Sequence, residues 1–294
     1  MEIRPLRQEF AAEIAGIDLG GDIDAATVRS IWDAIDRYAV LVLHDQRLSD
    51  AQLHDFAARF GELEIGRSAA RGGPRRLAIP QIGDISNLDL NGNVRALDDR
   101  RRLDSLGNRL WHTDASYMPV PVVLGMLHAV AVPPASALGG GETEFADMRA
   151  AYDALDDETK AECENLICEH SQLFSRALLG FSDFTDDERC KFAPVKQRLV
   201  RRHPVTGRKS LFLASHAGSI LGWPVPEARA FLRDLTEHAT QRKFVYAHEW
   251  KQWDLVVWDN RATMHRARPF PSQEVRDMHR TTVACERSTM AEAA

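Results

Sequence analysis

Cysteine is scarce: four in 294 residues, at positions 163, 168, 190 and 285. No two of them form a Cys-x-x-Cys pair or a zinc-ligand spacing, so they define neither a zinc ribbon nor a disulfide framework. Cys163 and Cys168 fall on one predicted helix, where a five-residue step does not bring them to one face. Free thiols imply a reducing compartment. Long apolar runs are also missing. Tyr38–Leu43 is far short of the roughly 20 residues that a membrane helix needs, and no apolar segment of a signal peptide follows Met-Glu-Ile-Arg-Pro. The expected location is the cytoplasm, with no membrane partner. Positive charge is in deficit: 37 Lys and Arg against 43 Asp and Glu give a formal net charge of −6. That balance argues against a nucleic-acid partner. With no internal repeat, low-complexity segment or linker, residues 1–294 read as one domain.

The composition that remains, 44% hydrophobic and 27% charged, is that of a globular chain able to bury a substantial core. Two short strands are predicted first, at 2–6 and 13–19. Asp24 can cap a helix to about Tyr38, in which Val28, Ile31, Trp32, Ile35 and Tyr38 form one apolar stripe. A buried strand at 39–43 follows, then a helix opened by the Ser49-x-x-Gln52 capping box. The stretches 66–79 and 96–104 are rich in charge, and the first also in glycine; both read as loops. Strands are expected at 111–117, 122–132 and 142–146. Asp147 caps a helix, and a second helix is expected at 157–170. Strands at 199–203 and 209–215, a helix at 226–240 and strands at 243–250, 255–258 and 279–285 complete the pattern.

Within this acidic chain, residues 261–280 hold five arginines (261, 266, 268, 276 and 280) against Glu274 and Asp277, which suggests a local anion site. Two other segments suggest a metal. Trp111-His112-Thr113-Asp114 places a His and an Asp two residues apart, on one face if the segment is a strand. Trp258 to His265 supplies a second His. Two His and one carboxylate form the ligand set of non-haem Fe(II) oxygenases. His-x-Asp on its own reads more simply as a strand His bonded to its neighbour.

Taken together, the segments Ala39–Leu43, Asp84–Asn87, Asn108–Asp114, Gly140–Leu155, Glu237–Thr240 and Trp258–His265 resemble the taurine dioxygenase / 2,4-dichlorophenoxyacetate dioxygenase family, in the family's order and spacing, and look closest to its aryloxyacetate branch. The likeness runs from near residue 1 to about residue 285. It implies a mainly β, α+β fold with flanking helices around a double-stranded β-helix, or jelly roll. It implies an enzyme that uses Fe(II), 2-oxoglutarate and O2, with ascorbate as a reductant in vitro. By the same likeness His112, Asp114 and His265 are the metal ligands. Thr143, Arg276 and Arg280 bind the co-substrate. Asn108, Arg280 and His216 face a small acidic substrate. Trp258, Asp259 and Asn260 orient His265, and part of 66–79 covers the site. The implied reaction hydroxylates an aryloxyalkanoate next to its ether oxygen and releases a phenol and glyoxylate, with succinate and CO2. The same chemistry on another organic acid or a sulfonate, or a non-catalytic cupin-like binding protein, are the alternatives. Relatives are often homo-oligomers, so a homo-oligomer is the expected assembly.

Overall fold

A computed structural model describes residues 1–66, 69, 74–136 and 139–292. Its strands follow in chain order as β1 (Glu2–Pro5), β2 (Ala12–Ala15), β3 (Val40–Leu43), β4 (Gly83–Asp84), β5 (Val122–Ala131), β6 (Thr143–Asp147), β7 (Ile167–His170), β8 (Val195–Arg198), β9 (Val200–Arg202), β10 (Lys209–Leu211), β11 (Ala217–Ile220), β12 (Val245–His248), β13 (Leu255–Asp259), β14 (Thr263–Ala267) and β15 (Asp277–Ala284). Seven of them form one sheet in the order β1-β2-β3-β13-β5-β15-β4, and β12-β6-β14 form a second.

Alternation along β13 explains how these layers stack. Leu255 and Val257 point to one face of the large sheet, where they meet Ile31, Ile35, Leu53 and Phe56 of the helices Ala25–Tyr38 and Asp50–Ala58. Val256 and Trp258 point to the other face and join Phe145 of the small sheet. The Phe145 and Trp258 rings lie 5.7 Å apart. Trp258 stands opposite Gly125 of β5, where an added Cβ would lie 2.1 Å from the indole, so glycine makes room for the ring between the sheets. The two helices begin as the sequence anticipates. Asp24 accepts from the Thr27 amide, and Ser49 and Gln52 form a reciprocal capping box.

The chain between β6 and β12 builds a separate core. Sheet β11-β7-β8, hairpin β9–β10 and the helix Val225–Ala239 enclose Met148, Leu199, Leu211, Leu232 and Leu235. The predicted helix over 157–170 is corrected here: the helix ends at Cys163, and Ile167–His170 is β7. Its alternating burial and its pairing on both edges, with β8 and β11, outweigh the local helical pattern. Cys163 and Cys168 therefore sit on different elements. Burial pushes both thiols up to about 12, which leaves them unreactive.

Three further expectations change. The charged stretch 96–104 contains a helix, Arg100–Ser105, capped by Asp99. Thr263–Ala267 is a strand that the periodicity did not announce. The segment 111–117 is not a strand: His112 makes a single bridge to His265, and residues 114–117 turn, with Ala115 at φ 53°. The covering role read for 66–79 falls partly on residues 67, 68 and 70–73, outside the described residues. Among the described residues no helix is long and apolar enough to cross a membrane.

Candidate active site

Strand pairing brings the two histidines together. His112 and His265 exchange both backbone hydrogen bonds, at 2.9 and 2.8 Å, so their side chains emerge side by side with ring centroids 4.3 Å apart. The carboxylate arrives by a turn rather than along a strand. Asn260 holds that turn: its Oδ1 accepts from the Asp114 amide and its Nδ2 donates to the Asp114 carbonyl, each at 2.9 Å. The same Nδ2 donates to the Val122 carbonyl at 3.1 Å, so one amide ties the turn to β5. His112 Nε2 then lies 3.9 Å from Asp114 Oδ1, and His265 Nε2 lies 3.7 Å from Oδ2.

All three side chains are buried. His112 Nδ1 lies 2.8 Å from the Leu110 carbonyl, which can only accept, so this nitrogen carries the proton and Nε2 presents its lone pair to the cluster. Burial holds both imidazoles below the ordinary histidine range, His265 down to about 3, so both are neutral. Burial opposes the charge of Asp114, but the Arg280 guanidinium beside it holds the carboxyl down at about 2. Arg280 Nη1 donates to Asp114 Oδ1 at 2.8 Å, while Oδ2 is buried without a hydrogen-bond partner among the described residues. Two neutral nitrogens and one ionised carboxylate with an orphaned oxygen converge, and this donor set fits a divalent cation. Asp36, His203 and Asp259 also cluster. The Arg261 fork holds both Asp259 oxygens at 2.9 Å, so that second group already contains its cation.

Asn260→Ala releases the turn that carries Asp114 and leaves the ligands themselves in place. Divalent metal affinity is expected to fall about 10- to 100-fold, as for other residues that hold ligands, and metal titration of the purified protein reads this. This corrects one expected role: Asn260 positions Asp114, not His265. Trp258 does face His265, with ring centroids 5.0 Å apart, whereas Asp259 is taken up by Arg261 and His203.

A cavity of about 240 Å³ opens in front of the triad and is lined by His112, Asp114, Asn108, His216, Arg276 and Arg280, among others. Arg276 is buried and lacks a carboxylate partner among the described residues; burial alone pushes it down to about 10. Its backbone is clamped by Asn87, whose Oδ1 accepts the Arg276 amide at 3.0 Å and whose own amide donates to the Arg276 carbonyl at 3.2 Å. Gly141, at φ 76°, lets β6 begin beside the guanidinium: an added Cβ would come within 3.2 Å of Arg276 Nε. Thr143 is buried but is not part of the cavity lining. Trp250 Nε1 donates to its Oγ1 at 3.0 Å, which leaves the Thr143 proton to be donated elsewhere. His216 Nδ1 lies 2.9 Å from Ser175 Oγ, and its ring centroid is 6.2 Å from that of His112. Sequence reasoning gave no role to Asn87, Ser175 or Trp250. Only Asn87 lay in a segment already quoted for the family likeness.

Of the five arginines in 261–280, Arg268, Arg276 and Arg280 reach the cavity. Arg261 and Arg266 pair with Asp259 and Glu144 instead. Behind Arg280, Arg76 bridges Asp84 and Asp277, and His279 Nδ1 meets Asp50 at 2.5 Å. Burial opposes the charge of His279, but Asp277 and Asp50 outweigh it and push its pKa up to about 9. A raised folded-state pKa stabilises below the unfolded value, near 6.5, and that contribution is lost as pH climbs through about 9. Urea unfolding at pH 6 and pH 9.5 should therefore show wild type losing roughly 3 kcal/mol more than His279→Gln over that interval.

With this architecture and this site in view, the chain belongs to the family described as "Taurine catabolism dioxygenase TauD, TfdA family", which it matches over residues 2–282. Its relatives include the "Alpha-ketoglutarate-dependent 2,4-dichlorophenoxyacetate dioxygenase" of Cupriavidus pinatubonensis, 44% identical over 278 residues that cover 95% of this chain and 96% of the relative. The "(S)-phenoxypropionate/alpha-ketoglutarate-dioxygenase" of Sphingobium herbicidovorans is 37% identical, covering 96% of this chain and 94% of that one. Among solved structures, AAD-2 in complex with Mn(II) and N-oxalylglycine superposes with a TM-score of 0.89 at 50% identity, covering 98% of each chain.

Proposed function

We propose that the protein is an Fe(II)- and 2-oxoglutarate-dependent dioxygenase that hydroxylates an aryloxyalkanoate, such as 2,4-dichlorophenoxyacetate, on the carbon next to the ether oxygen. The resulting hemiacetal collapses to a phenol and glyoxylate, while 2-oxoglutarate and O2 yield succinate and CO2. The two packed sheets are read as a double-stranded β-helix, and the whole chain as one catalytic domain. The observation that carries the reading is Arg276: a buried guanidinium with no carboxylate partner among the described residues, opening onto the cavity that His112 and Asp114 of the triad also line.

His112, Asp114 and His265 would hold the iron, which when bound supplies O2 activation and a chelation site for a 2-oxo acid. The chain's own residues do the rest. Arg276 offers a planar fork to the distal carboxylate of 2-oxoglutarate, and the family likeness assigns to the same group Thr143, which lies just outside the cavity lining with its oxygen bonded by Trp250. Arg280 keeps Asp114 ionised and lends positive charge to acid groups that approach the centre. Asn108 and His216 line the same cavity and are assigned to orient the aryl acid. The names of the relatives quoted above support an aryloxy acid as substrate, and N-oxalylglycine in AAD-2 has the shape and charge of 2-oxoglutarate.

Succinate release measured across 2,4-dichlorophenoxyacetate, a chiral phenoxypropionate, phenoxyacetate, indole-3-acetate and taurine tests the substrate class. Succinate should follow the phenoxy acids and come with a phenol. Turnover of taurine alone would keep the reaction type and overturn the substrate.

A further inference from the structure

The cavity carries more positive charge than this reaction uses. Ten arginines and three aspartates line it. Arg76 is neutralised by Asp84 and Asp277, Arg95 by Asp99, Arg176 by Asp104, Arg268 by Glu144 and Arg280 by Asp114, while Arg75 and Arg101 are exposed. Arg276 is assigned above to the co-substrate. Arg102 and Arg109 have no carboxylate within ion-pair distance among the described residues, and residues 67, 68, 70–73, 137, 138, 293 and 294 include no Asp or Glu that could supply one. The one acceptor of the Arg102 guanidinium among the described residues is the Leu97 carbonyl, at 2.6 Å from Nη1.

Local geometry puts these two guanidiniums together. The helix Arg100–Ser105 runs directly into a 3-10 turn, Leu106–Arg109, so residues 102 and 109 are about two turns apart and share one face. The segment is firmly anchored. Arg176 Nε donates to Asp104 at 3.0 Å, and Gly107 lets that guanidinium lie against the backbone, where an added Cβ would sit 2.1 Å from Nη1. Partial burial of its guanidinium, and then the charge of Arg102, hold Arg109 below the ordinary arginine range, as expected of neighbouring like charges. Arg102 is half-buried and Arg109 exposed, whereas His112, Asp114 and Arg276 are buried, so the pair marks the outer end of the cavity.

We infer that Arg102 and Arg109 form an outer anion subsite, which takes a carboxylate or sulfonate carried by the substrate at the end remote from the acid group near Arg280. The inference rests on the dioxygenase reading of this cavity and adds to its substrate class aryloxy acids with a second anionic group, which bind more tightly than those with one. Two neighbouring forks suit such a group, since each guanidinium can give it two parallel hydrogen bonds.

The test is calorimetric titration of the protein loaded with Mn(II) and N-oxalylglycine, which prevents turnover. The probes are phenoxyacetate and (4-carboxyphenoxy)acetate. Wild type should bind the dicarboxylate at least about tenfold more tightly, and the Arg102→Gln/Arg109→Gln double variant should bring that ratio close to one. Arg109→Gln alone should give an intermediate ratio. Because the readout is a ratio on one protein sample, a general loss of integrity does not mimic it. Equal affinities in wild type, or a preference that survives the double substitution, overturn the subsite. Phenoxyacetate turnover by wild type is measured alongside. Its absence, together with an Arg102- and Arg109-dependent preference for the dicarboxylate, removes the aryloxy reaction and leaves the subsite standing.

Discussion

Arg276→Gln raises the 2-oxoglutarate concentration needed for half-maximal turnover at least about a hundredfold, with a much smaller change in kcat. Hydrogen bonds to charged groups contribute roughly 1.5–3 kcal/mol each, and a guanidinium can make two to one carboxylate. Losing both costs about 3–6 kcal/mol of binding, or two to four orders of magnitude in affinity. Gln keeps a donor of similar reach but no charge, so the effect falls on co-substrate binding rather than on the reacting carbon. The same change should leave the melting temperature of the ligand-free protein unchanged or slightly raised. The wild-type cation is buried with no carboxylate partner among the described residues, and the Phe270 ring 5.9 Å away offsets little of the cost of burying it. A kinetic assay over a 2-oxoglutarate series and a thermal melt, on one preparation, check both halves. A lower melting temperature with an unaltered KM would make Arg276 a structural residue.

Asp114→Ala is expected to remove measurable Fe(II) binding at micromolar protein and to lower turnover about a thousandfold or more. Residues that merely hold metal ligands change affinity or activity about 10- to 100-fold, and loss of a ligand exceeds that. The substitution also leaves Arg280 without the carboxylate it contacts at 2.8 Å, so a cation then faces the metal position directly. Charge repulsion and the missing donor act in the same direction. Iron titration followed by single-turnover succinate measurement separates lost binding from lost chemistry. Stoichiometric iron binding by the variant would show that the two histidines suffice.

Much of the site could be read before any coordinates, because residue chemistry and order carry it. His112, Asp114 and His265 converge as their types suggested, and Arg276 and Arg280 reach one cavity. How Asp114 gets there was not legible. The i, i+2 rule for a strand gave the right partners for the wrong reason, since a turn clamped by Asn260 delivers the carboxylate. That clamp joins residues 146 positions apart, a distance no local pattern reports. The helix read over 157–170 fails for a related cause. The strand character of Ile167–His170 comes from pairing with β8 and β11, both outside any local window. The capped helices Ala25–Tyr38 and Asp50–Ala58 were legible because their signals, a capping side chain and an apolar stripe, lie within one segment. Arg102 lay in a stretch that read as loop and Arg109 in a segment quoted for the family likeness, and neither was given a role. Only the short helix and 3-10 turn put them on one face.

The central claim is that the triad and Arg276 together couple 2-oxoglutarate decarboxylation to oxidation of an aryloxy acid. Its most direct test is the simultaneous measurement of succinate and 2,4-dichlorophenol from 2,4-dichlorophenoxyacetate, with Fe(II), ascorbate and 2-oxoglutarate under air, for wild type and His112→Ala. The account predicts equal amounts of the two products from wild type and neither from the variant. Phenol without succinate, or succinate that is the same in both proteins, would contradict it.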